Sequence, residues 1–251
     1  MPLTATSCAV AELRGGRTVL TTLRSQVPLR LRETCDGLTV VASAFGPLGG
    51  DRTSLDISVG EGASLHVGAA AAQVAQPGVS DPVSCAAVRL RAAAGARLHW
   101  RPEPLVVTEG AEHRLTLEVE VDPSAHVVIA ETTVLGRTAG RPGRARSSWR
   151  VRCGGQPLLS CDLDVGPGAP GGWDGPAVTG AARVLVTALV TGPVLPPDPP
   201  AGDGEVMRLA GPGVLLTWLG DDPVAGARAL TAFLGPARAP EPADRVLSHR
   251  L

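Results

Sequence analysis

The chain has 251 residues, a formal net charge of -1 and no lysine, so all 23 basic residues are arginine. A near-neutral balance excludes a global field that would draw in nucleic acid or an anionic membrane, the apolar stretches fall far short of the roughly 20 residues of a membrane-spanning helix, and no basic start with a long apolar run marks a secretory signal. Five widely spaced cysteines without a C-x-x-C pair speak for reduced thiols in a cytoplasmic protein and against a disulfide framework.

Period-two alternation dominates the chain. Ser54 to Val59 alternates apolar and polar, turns through Gly60 to Ala63 and resumes at Ser64 to Val67. Val88 to Arg91 turns through Ala93 to Ala96 and resumes at Arg97 to Trp100. Leu115 to Val121 turns through Asp122 to Ala125 and resumes at His126 to Ala130. Such alternation marks strands with one buried face, and a repeated unit that cannot bury its apolar face alone predicts stacking. A further hairpin is predicted at Ser148 to Cys153, Gly154-Gly155 and Leu158 to Val165. Arg183 to Thr191 reads as a strand, and Val206 to Leu219 as a strand pair broken at Gly211 to Gly213. Asp221 or Asp222 is placed to cap a helix over Pro223 to Leu234, with proline in its first turn. The expected fold is mainly β: stacked antiparallel hairpins in a two-layered, solenoid-like structure, with one or two short helices near the C-terminus. Residues 1–251 are expected to form one domain, with 236–251 as a flexible tail.

Several motifs carry competing readings. Gly166 to Gly171 matches G-x-G-x-x-G, but Gly172-Trp-Asp-Gly-Pro176 follows where a dinucleotide site needs a helix, so a loop is expected. His66 and His99 hold equivalent positions in successive repeats; they are either polar-face residues or a pair of imidazoles able to hold a borderline cation. Cys153 and Cys161 flank one hairpin, as thiols or as a metal pair. Arg137, Arg141, Arg144, Arg146, Arg150 and Arg152 form an acid-free basic stretch, either a solvated face or a dock for an acidic partner. Glu118 with Glu120 and Asp162 with Asp164 share strand faces, which leaves acid/base chemistry in a carbohydrate enzyme as an alternative to simple exposure.

Four segments in order carry a family resemblance. Gly46-Pro-Leu-Gly-Gly-Asp51 followed by Ala69 to Gln73 resembles the glycine-rich turn and small-residue run of the UreD (UreH) family of urease accessory proteins. Gly95 to Pro104, Ile129-Ala-Glu131 with Gly136-Arg137, and the strand Ala181 to Thr191 with the region Arg208 to Leu234 are similar to that family's later elements. The likeness spans residues 25–235. Arg141 stands where many members carry an acid, and Ala69 to Gln73 lacks their threonines. The resemblance implies a non-catalytic scaffold for urease maturation. Its implied partners are urease apoprotein and the UreF and UreG accessory proteins, and homodimerisation within the complex is compatible with it; neither nucleic acid nor membrane is involved. It implies no tightly bound cofactor, only nickel in transit, with Asp51 and Glu131 as candidate oxygen groups along a nickel path. Gly49, Gly50, Gly136 and Arg137 are then structural or partner-facing, Arg137 through its planar fork of donors. The alternative is a non-catalytic β-rich module docking an unrelated acidic partner.

Overall fold

The computed structural model describes residues 2–195 and 204–235. Among these described residues, seventeen strands and one helix follow in chain order. Two hairpins open the chain, β1 (Thr4–Arg14) with β2 (Arg17–Arg24) and β3 (Leu29–Thr34) with β4 (Gly37–Ala42). Three coils come next: β5 (Arg52–Val59), β6 (Ser64–Ala69) and β7 (Gln73–Ala75); β8 (Val83–Ala92), β9 (Arg97–Arg101) and β10 (Leu105–Val107); β11 (Glu112–Val121) and β12 (His126–Leu135). The hairpin of β13 (Arg144–Cys153) and β14 (Gln156–Val165) follows, then β15 (Val184–Thr191), β16 (Glu205–Arg208), β17 (Gly213–Gly220) and α1 (Pro223–Leu234).

The strands form two facing sheets. The first runs β14-β13-β11-β8-β5-β1-β2 and the second β16-β17-β15-β12-β9-β6-β4-β3, with β7 and β10 attached beside β12. The chain is thus mainly β, two-layered and solenoid-like, as its alternation predicts. The pairing inside the repeats differs from the antiparallel hairpins expected. β5 and β6, β8 and β9, and β11 and β12 lie in opposite sheets, and each strand pairs in parallel with its counterpart in the next coil. Alternation cannot separate a hairpin from an arch, because both have one buried face per strand. The bends decide it. Ala63, Ala96 and Ala125 are fully buried where the chain crosses between the sheets. Their neighbours send backbone hydrogen bonds to the adjacent coil, Arg97 N–H to Ala63 O and His126 N–H to Ala96 O, both at 2.8 Å. The segment β13–β14, with Gly154 and Gly155 at positive φ, is the antiparallel hairpin its Gly-Gly pair predicts.

The core lies between the sheets. Leu55, Ile57 and Val59 face Leu65 and Val67, and each next coil adds the same layers: Val88, Leu90 and Ala92 with Leu98 and Trp100, then Leu117, Val119 and Val121 with Val127 and Ile129. Each fully buried large aliphatic contributes roughly 1.5–3 kcal/mol. On the far side of the second sheet, Val128, Ala130, Val186 and Trp218 pack against Leu230 and Phe233 of α1. The Asp222 carboxylate caps α1 by accepting the Val224 N–H at 2.9 Å, and Pro223 starts the helix. Among the described residues no helix is long and apolar enough to cross a membrane. The tail expected at 236–251 and most of the Pro196 to Gly204 loop lie outside the described residues.

Candidate functional site

The inner face of the first sheet changes character along its strands. Near the bends its rows are large and apolar: Ile57, Leu90, Val119 and Val151, then Leu55, Val88, Leu117 and Trp149. One step further the row is Thr53, Ala86, Leu115 and Ser147; the next includes Ser84, His113 and Ala145. On the facing strand β12, Glu131 and Thr133 continue the phase of Val127 and Ile129. Small and polar side chains where the pattern elsewhere demands large aliphatics leave a cavity of about 110 Å³, lined among others by Thr53, Gln73, Glu103, His113, Glu131 and Thr133.

Two titratable groups in this wall are strongly perturbed. Glu131 keeps some accessible surface because it lines the cavity, yet both sheets enclose it. Burial pushes its carboxyl up to about 7, and the Trp149 indole N–H, donating to Oε2 at 2.9 Å from the opposite sheet, pulls the other way. His113 is buried, and burial lowers its imidazole to about 4. Its Nδ1 lies 2.9 Å from Ser84 Oγ, leaving Nε2 as the nitrogen available to the cavity. A protonated or ionised Glu131, a neutral imidazole, an amide and hydroxyls can replace part of the hydration shell of a small cation without enclosing it. Among the described residues no group of three or more His, Cys, Asp or Glu is arranged to hold a metal ion.

The other sequence-predicted residues fall in different places. Asp51 is 3% exposed and is a brace: Oδ1 accepts the Leu3 N–H and Oδ2 the Leu48 N–H, both at 2.9 Å. It does not line the cavity, although Thr53, two residues on along the same strand face, does. Gly49 lies against the next loop so closely that a Cβ would stand 1.8 Å from Asp81 O, and Gly50 has φ 92°. This close packing pins the loop carrying the exposed Phe45 against the one carrying Val79. Gly136 has φ 85°, and a Cβ there would meet Arg141 O and the Arg183 guanidinium at 2.6 Å.

Arg183, which the sequence reading did not single out, orders the turn that carries Arg137. Arg137 is exposed and offers its carbonyl; Arg183 donates to Leu135 O, Arg137 O and Gly140 O at 2.8–3.0 Å. Arg183→Ala is therefore expected to lower stability by about 2–3 kcal/mol, read as a reduced urea midpoint; an unchanged midpoint would show that the 136–143 turn holds without it.

The arginine stretch is largely internally matched. Arg144 makes a two-pronged pair with Asp164 at 2.8 Å, Arg150 pairs with Asp162 at 2.8 Å, and Arg152 approaches Glu120 at 3.6 Å. Arg89 joins Glu118 at 2.9 Å and Asp56 at 3.6 Å. The carboxylate pairs read as candidate acid/base groups thus stand on the outer face of the first sheet, engaged by arginine. Cys153 and Cys161 do not face each other: their register partners are Gln156 and Trp149. His66 and His99 do meet, in register on β6 and β9, with ring centroids 4.2 Å apart. The residues the sequence reading missed are His113, Ser84, Thr53, Trp149 as a partner of Glu131, and Arg183. For His113 a signal existed, since it is in phase with Leu115 and Leu117.

The family model described as UreD urease accessory protein matches residues 5–246. Among curated relatives, a urease accessory protein UreD of Streptomyces avermitilis is 40% identical over 228 residues, covering 89% of this chain and 86% of its own. Urease accessory protein UreD 3 of Streptomyces griseus subsp. griseus is 41% identical over 246 residues, covering 92% and 91%. A urease accessory protein UreD of Parafrankia sp. is 38% identical over 254 residues, covering 89% and 85%.

Proposed function

This chain belongs to the UreD urease accessory protein family, and on that premise we propose that it is a non-catalytic cytoplasmic scaffold that docks urease apoprotein together with the UreF and UreG accessory proteins and supports nickel delivery. The observation that carries the nickel reading is the cavity between the sheets, with Glu131 and His113 in its wall. A conduit needs weak and scattered ligands, because tight coordination would block release. A buried carboxyl that ionises near neutrality, an imidazole held neutral by burial, and the Gln73 and threonine oxygens form such a set. Nickel is the cargo here and not a resident cofactor. The loops pinned by Gly49 and Asp51 follow on from the polar end of the strands and expose Phe45 and Val79, an apolar feature suited to a protein partner.

The docking of an unrelated acidic partner is less well supported, because Arg144, Arg150 and Arg152 already have carboxylate neighbours. In a strain lacking this chain, urease subunits are expected at ordinary abundance, with metal content and activity near background. Metal analysis of urease purified from cells grown at limiting nickel measures this; full occupancy there would overturn the reading.

A further inference from the structure

We propose that the in-register pair His66–His99, on the outer face of the second sheet, is a binding site for a borderline divalent transition-metal cation of the Ni2+ or Zn2+ class. This goes beyond the maturation reading: the pair stands on the opposite side of its sheet from the cavity. Leu65, Val67, Leu98 and Trp100 face the core, so strand alternation puts both imidazoles outside. Their Cα atoms are register partners on adjacent parallel strands. The ring centroids are 4.2 Å apart with a 42° tilt, so a modest side-chain rotation brings two nitrogens onto one ion. Both residues are half-buried, accessible to an ion yet restrained by their surroundings.

The backbone at the pair is held on one flank by β4, where a Cβ on Gly37 would stand 2.3 Å from His66 O. On the other flank His99 is in register with Val128. His126 extends the row, its ring centroid 6.0 Å from that of His99. Arg97, in register with His126 on the same face, sets a like charge beside it and disfavours His126 as a third ligand. The two imidazoles are thus the nitrogen donors of the site. Neutral nitrogen donors select Ni2+, Cu2+ and Zn2+ over Mg2+ and Ca2+, and a half-open coordination sphere makes the ion exchangeable.

Equilibrium dialysis of the full-length chain against Ni2+ tests this. His66→Ala/His99→Ala is expected to lose about one bound Ni2+ per chain, or about tenfold in affinity for it, with Mg2+ in excess failing to compete, while His126→Ala retains the ion. In the unaltered chain, Ni2+ is expected to slow carbethoxylation of His66 and His99, mapped by peptide mass spectrometry. Unchanged Ni2+ stoichiometry in a folded double variant would overturn the proposal. If that variant does not fold, unprotected His66 and His99 in the unaltered chain would do the same.

Discussion

Glu131→Gln is expected to cut nickel loading of urease by about tenfold or more while making the isolated chain more stable at pH 8. The two effects have one cause. Enclosure between the sheets penalises the ionised carboxylate and moves Glu131 up to about 7. Between pH 4.5 and 7 the folded chain therefore holds a proton that the unfolded chain has released. Stability falls as pH rises through that window, by as much as about 3 kcal/mol in all, and levels off above it. Glutamine keeps an oxygen for the Trp149 N–H and removes the ionisation. His113 works in the opposite sense. Burial moves it from 6.5 to about 4, so the unfolded chain binds the extra proton and stability rises with pH from about 4 to 6.5. The two slopes overlap and offset each other between pH 4.5 and 6.5. Urea midpoints of Glu131→Gln minus those of the unaltered chain should grow steadily from pH 4.5 to 7. A difference that does not vary with pH would mean that Glu131 is not enclosed as described. Full urease activation by a folded Glu131→Gln chain would remove Glu131 from the nickel path.

Asp51→Ala is expected to cost about 2–4 kcal/mol, because the N–H groups of Leu3 and Leu48 both lose their acceptor in a buried site. Asp51→Asn offers one oxygen and turns a donor against the second amide, so it too should be less stable than the unaltered chain. Chemical denaturation of both variants gives the order, and soluble yield should follow it. If Asp51→Asn matches the unaltered chain in stability but activates urease poorly, the carboxylate is a nickel ligand and its brace role is secondary.

Phase explains what could be read from the sequence. Glu131 stands in the register of Val127 and Ile129, His113 in that of Leu115 and Leu117, and Asp51 in that of Leu55 and Ile57. A polar residue in an apolar phase needs a partner, and the structure supplies one in each case: two amides satisfy Asp51, while Glu131, bonded to the Trp149 indole, and His113, beside Ser84, also line a cavity. Strand existence was legible in the long strands from Ser54 onward, where Val, Leu and Ile supply contrast, whereas β2, β3 and β4 were not read as strands although they too carry Val or Leu. It was not legible in β1, whose buried side is Ala5, Ser7, Ala9 and Ala11, residues too small to mark a phase. Parallel pairing between coils was hidden for another reason. It rests on hydrogen bonds between residues about thirty positions apart, such as Arg97 N–H to Ala63 O, and local alternation carries no information on them. The role of Arg183 was hidden likewise, since its three carbonyl partners lie far back along the chain.

The crossing points at Ala63, Ala96 and Ala125 have a bearing on how such a chain can vary in length. Because the Ala63 and Ala96 carbonyls accept the Arg97 and His126 N–H groups of the following coil, each layer is indexed to the one before it. Inserting a single residue within β8 would swap the sides of all that follow it in that strand and turn Leu90 toward solvent. Extra residues added beyond β7 or β10, by contrast, would lengthen a peripheral connection without disturbing the indexing. Insertions and deletions tolerated by relatives of this fold should therefore gather on the side bearing Phe45 and Val79, leaving the opposite rim nearly constant in length.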